Sequence, residues 1–176
     1  RDVAYDRLAF VQRRQLHRSA AEWYEETQRQ NREACVPLLA HHWSRAVDPQ
    51  APDPEIAPRA LQALERAGEQ AVRSYANAEA VAFFREALQL GGTLGAGDGT
   101  SERRVARWYR HLADAANRLG KIPEAIDYAL QALRHLGQPF PAAGFRQTAG
   151  IARELLRQTV HRTAGVRWLR LAGAAQ

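Results

Sequence analysis

The sequence has no methionine and a single cysteine, Cys35. One thiol excludes a disulfide scaffold and any zinc site built on several cysteines. Lysine is nearly as scarce: Lys121 is the only one, so 24 of the 25 basic residues are arginine. No run approaches the ~18–20 uninterrupted apolar residues that cross a bilayer. The strand formers valine, isoleucine and threonine are sparse. Hydrophobic residues make up 45% of the 176 and charged residues 25%, which excludes a mostly disordered chain. That length is about one domain's worth and can bury a core. The chain opens on Arg1-Asp2-Val3 without the pattern of a secretory leader, and we read it as a piece of a longer protein, cytoplasmic in location.

What the sequence does have is alanine, 34 of it. Alanine is the best helix former, and its small side chain lets two helix backbones approach closely. An all-α fold follows. Six helices are expected in the body, the first from Arg1 to about Gln30, with Leu8, Val11, Leu16, Ala20, Trp23 and Tyr24 at helical spacing. The second spans Asn31 to Ala46, capped by Asn31, with Cys35, Leu38, Leu39, His42 and Trp43 towards the core. A proline-rich loop follows, and Pro58 suits the first position of a third helix ending near Ser74. The fourth ends near Leu90, before a glycine-rich linker over 91–101. Ser101 caps the fifth, about 102–119, and the sixth runs from Pro123 to Leu136.

The helices repeat. Leu64-x2-Ala67-Gly68-x2-Ala71 lies over Tyr109-x2-Leu112-Ala113-x2-Ala116, and Ala80-x3-Phe84-x2-Ala87 lies over Ala125-x3-Ala129-x2-Ala132. The register is a constant 45 residues, or 34 once the 11-residue glycine-rich loop is set aside. Thirty-four is the tetratricopeptide period. The expected architecture is antiparallel helical hairpins stacked as a tetratricopeptide-like right-handed solenoid. Its parts are a leading helix over 1–30, repeats over 31–141, and one or two basic helices over 142–176. The register before residue 58 stays open, because Leu39-Ala40-x2-Trp43 can also start a repeat.

The order of motifs is more specific than the repeat. Asp2-Val3-Ala4-Tyr5-x2-Leu8, followed by Gln12-Arg13-Arg14-x-Leu16-His17-x2-Ala20, resembles the junction after the winged-helix segment of bacterial signal-transduction ATPases of the AAA/STAND type. Pro37-Leu38-Leu39-Ala40-His41-His42-Trp43 and Ala67-Gly68-Glu69-Gln70-Ala71-x3-Tyr75-Ala76-Asn77-Ala78-Glu79-Ala80 are similar to the helical region that follows. Leu136-Gly137-Gln138-Pro139-Phe140-Pro141 is similar to the segment closing the repeats in members linked to class III adenylate or guanylate cyclase domains. The loops at 47–57 and 91–101 are longer than that pattern. The resemblance implies a non-catalytic regulatory module that holds protein partners or neighbouring domains, with ATPase and cyclase chemistry upstream. The alternative it allows is the same region of a DNA-binding transcriptional regulator with an ATPase core.

The residues themselves point to no reaction. Gly120-Lys121 is followed by Ile122 rather than serine or threonine, so no phosphate loop is present and no cofactor is expected. Cys35 has no evident activating histidine and acid. A metal site from His17, Cys35, His41 and His42 is not expected, since adjacent helical side chains point about 100° apart. His111 and His135 are expected on solvated faces. The net charge of +6 is lopsided: residues 145–176 carry six arginines against Glu154, leaving the body nearly neutral. Arg153, Arg157, Arg167 and Trp168 are therefore the candidate contacts to a partner or an anionic membrane surface. Packing of that tail as a terminal cap is the plainer reading. Nucleic acid is not expected as a ligand, and self-association is open.

Overall fold

A computed structural model of the chain describes residues 9–27, 32–94 and 101–138. All of these belong to one unit, Arg1–Pro139; Phe140–Gln176 lies outside the described residues. So do Leu8, Asn31 and the tail positions Arg153, Arg157, Arg167 and Trp168.

Among the described residues there are six helices: α1 (Phe10–Thr27), α2 (Arg32–Ala46), α3 (Ile56–Arg73), α4 (Asn77–Leu94), α5 (Glu102–Arg118) and α6 (Ile122–His135). Among the described residues there is no strand. Each helix packs on the next along the chain. The contacts pair early residues with late ones, which makes neighbours antiparallel. Glu102 at the start of α5 bonds His135 at the end of α6, and Tyr109 meets Tyr128 midway. Gln70 of α3 reaches Glu33 of α2, and Arg59 reaches Trp43.

Helix ends follow local chemistry. Ser101 accepts a bond from the Arg104 amide and caps α5. Gly120 and Gly137 take left-handed conformations just past α5 and α6, where the amides of Lys121 and Gln138 bond back to Ala116 and Leu133. After α3 the same turn is made by Tyr75, at φ 60°. Pro37 lies inside α2 and cannot donate to the Glu33 carbonyl; the Gln70 side chain donates there instead, at 2.9 Å.

Three helix bounds differ from the sequence expectation. α1 begins at Phe10, with Ala9 outside it, rather than running unbroken from Arg1. α3 starts at Ile56, not Pro58. Asp53 sets this start: its carboxylate accepts from the Glu55 and Ile56 amides, and its carbonyl accepts from Ala57. Pro58 then sits in the first turn, where a missing amide costs nothing. α4 runs past Leu90 to Leu94, because Gly91 is buried and Leu94 packs on the core one turn beyond Leu90.

The core is narrow and alanine-rich, built around Trp43, Leu61, Leu64, Phe84, Trp108 and Leu112. α3 supplies the most, with nine buried residues. Both buried indoles are satisfied by carboxylates: Trp43 donates to Glu25 of α1, and Trp108 donates to Glu65 of α3. Glu65 also holds Arg104 at 2.9 Å, tying α3 to α5. Arg85 of α4 bonds Tyr128 and Glu124 of α6. Alternate helices are thus joined as well as consecutive ones.

Candidate functional site

The first helix does not present the stripe expected of it. Val11, Leu16 and Trp23 are exposed, and Ala21 alone of α1 is buried. α1 meets α2 and the loop after it largely through polar and aromatic contacts. Arg14 pairs with Asp48 of that loop at 2.8 Å, Tyr24 stacks on His42, and Glu25 takes the Trp43 indole. Leu38, expected in the core, is exposed as well.

This seam has two consequences. The first is a groove of about 700 Å³ walled by α1, the end of α2 and α4. Arg13, Arg14, Arg45 and Arg85 line it, and among the described residues Glu86 is the only carboxylate in its wall. Asp48 and Glu124, just outside, partner Arg14 and Arg85. Arg45 is exposed and makes no ion pair among the described residues. Ser44, Gln89 and Thr93 add polar groups, while Val47 and Leu90 give apolar ground. The result is a long basic trough rather than a closed catalytic pocket.

The second consequence is a histidine cluster. His17 of α1 comes against the adjacent pair His41 and His42 of α2, with ring centroids 5.2–5.5 Å apart. Nδ1 of His17 and Nδ1 of His42 are 3.0 Å apart, a bond in which one neutral ring donates to the other. One nitrogen from each of the three rings lies within 4.8 Å of the others. Burial lowers the pKa of His17, helped by the charges of His42, His41 and Arg45. Burial, then His41, lowers that of His42. Adjacent positions on a helix send His41 and His42 about 100° apart, and only the packing of α1 brings His17 against both. Cys35 is buried and is not part of this group.

At the other end of the array, Ala106, Ala113, Ala129, Ala132, Leu133 and Leu136 floor an apolar hollow of about 670 Å³ on α5 and α6, rimmed by Arg103, Arg107 and Arg110. In the 45-residue register, Ala113 and Ala129 stand where α3 and α4 carry Gly68 and Phe84. The Phe84 ring fills the earlier crossing and is fully buried; its alanine counterpart leaves this face open. His111 proves half-buried rather than solvated. It lies flat on Phe84, with Nδ1 unpartnered among the described residues. Its pKa is lowered, first by burial and then by Arg110. His135 stacks on Tyr109 and bonds Glu102.

No protein-family model matches the chain, and no curated protein matches it. No helix among the described residues is long and apolar enough to cross a membrane.

Proposed function

We propose that this chain is a non-catalytic interaction module, a tetratricopeptide-like helical array within a multidomain bacterial ATPase–cyclase-type signalling protein. It grips acidic segments of partners or of neighbouring domains. The observation that carries this reading is the trough between α1, α2 and α4, with four arginines against one carboxylate among the described residues of its wall. Clefts lined by one sign of charge concentrate ligands of the other sign. Arginine also presents a planar fork that matches carboxylates two bonds at a time. The small-residue crossing at Gly68 and Phe84, with alternate helices also bonded, supports the repeat reading. The exposed Val11, Leu16 and Trp23 give a neighbouring domain apolar ground on the leading helix.

Fluorescence anisotropy with a labelled glutamate-rich peptide tests this. The acidic peptide binds, a lysine-rich peptide of equal length does not, and affinity falls as salt rises. Arg45→Glu reverses an unpaired charge in the trough and weakens binding about tenfold or more. Equal binding of both peptides, or indifference to Arg45→Glu, overturns the trough as the site. The full reading frame tests the parent: a cyclase domain upstream supports it, and a DNA-binding domain there replaces it with the regulator reading.

A further inference from the structure

We infer that His17, His41 and His42 form a binding site for one divalent transition-metal ion of the imidazole-preferring class, with Zn²⁺ as the representative. The inference needs no partner and does not rest on the peptide-binding reading, although His17 also lines the trough.

Three imidazoles from two packed helices are the donor set that zinc, nickel and copper take. Two nitrogens bound at ~2.0–2.1 Å with a tetrahedral angle stand about 3.3 Å apart. His17 and His42 already hold their Nδ1 atoms at 3.0 Å, so a few tenths of an ångström of opening suits an ion. His41 has further to come, within the 4.8 Å spread of the group. It is the exposed member, and its ring is the freest to turn. With both Nδ1 atoms given to the ion, His17 and His42 carry their protons on Nε2. Arg45 is the opposing influence, a positive charge close enough to act on His17. It disfavours hard ions held by charge alone and leaves those held by nitrogen donation. Three protein ligands also leave a fourth position open, to water or to an outside donor.

The test uses the full 176-residue chain without a histidine tag. Calorimetric titration with Zn²⁺ gives one ion per chain, and Co²⁺ gives the visible absorption of tetrahedral nitrogen coordination. His17→Gln, His41→Gln and His42→Gln each weaken binding about 10–100-fold or more, given that loss of outer-shell partners alone costs that much. A control with His111, His135 and His161 all changed to glutamine binds as the parent does. Histidine ring signals in ¹⁵N spectra of the unaltered protein provide a readout that needs no variant: Zn²⁺ shifts three rings together. Absence of stoichiometric binding by Zn²⁺, Ni²⁺ and Cu²⁺, binding that survives loss of the trio, or shifts confined to other rings overturns the inference.

Discussion

At Gly68 the crossing of α3 and α4 admits nothing larger than a hydrogen. A Cβ built there would lie 2.7–3.0 Å from three atoms of the Phe84 ring. That ring is fully buried and backed by His111 at 5.0 Å, nearly parallel, so it cannot swing aside. Elsewhere in a helix, glycine to alanine gains up to about 1 kcal/mol from propensity. Here the overpacking term, about 1–3 kcal/mol, outweighs it. Gly68→Ala is expected to lower stability by about 1 kcal/mol in urea unfolding. Gly92→Ala, which meets no atom within 4 Å, supplies the control of opposite sign. A stabilised Gly68→Ala variant would show that the helices do not cross as described.

The elements differ in how far the chain announces them. α5 and α6 are legible from Ser101, Gly120 and Gly137, because capping residues act within one turn of themselves. α3 is legible in its buried face but not in its first turn, since Asp53 does the work that Pro58 seemed suited to. α1 is legible as a helix and not in its orientation. Its contacts include Arg14 with Asp48 just past α2, and His17 and Tyr24 with His42 and Glu25 with Trp43 in α2, and hydropathy is blind to pairs of that kind. The histidine cluster was hidden for the same reason, as it depends on the register of two helices. Between α3 and α5 another polar tie is testable. Glu65→Ala strips the buried Trp108 indole of its acceptor and releases Arg104, and is expected to cost about 2 kcal/mol. Glu65→Gln keeps an acceptor and costs less. Equal losses in thermal or urea unfolding would mean that the indole bond is not what ties the two helices.

Across the whole unit, three of the described histidines share one electrostatic fate. Burial is the first cause lowering the pKa of each of His17, His42 and His111 below 6.5, and a neighbouring positive group adds to it. The folded chain therefore holds them neutral at a pH where the unfolded chain binds protons. The stability they support is fully present above 6.5. Below that value the unfolded state takes up protons first, so stability declines as pH falls, until the folded histidines protonate too. Carboxylates, with ordinary values near ~4, stay charged through most of this window, so the slope between about pH 6.5 and 5 reports histidine. The cluster carries two of the three groups and sits where α1 is held by few apolar contacts, so α1 is the first element to loosen. Urea midpoints should fall from pH 7.5 to 5.5, with amide exchange rising first in α1. Replacing His17 and His42 together by glutamine should remove most of that slope, while His111→Gln removes the part belonging to α5. A midpoint unchanged by acidification would mean that water reaches these rings freely and that the α1–α2 seam is open in solution.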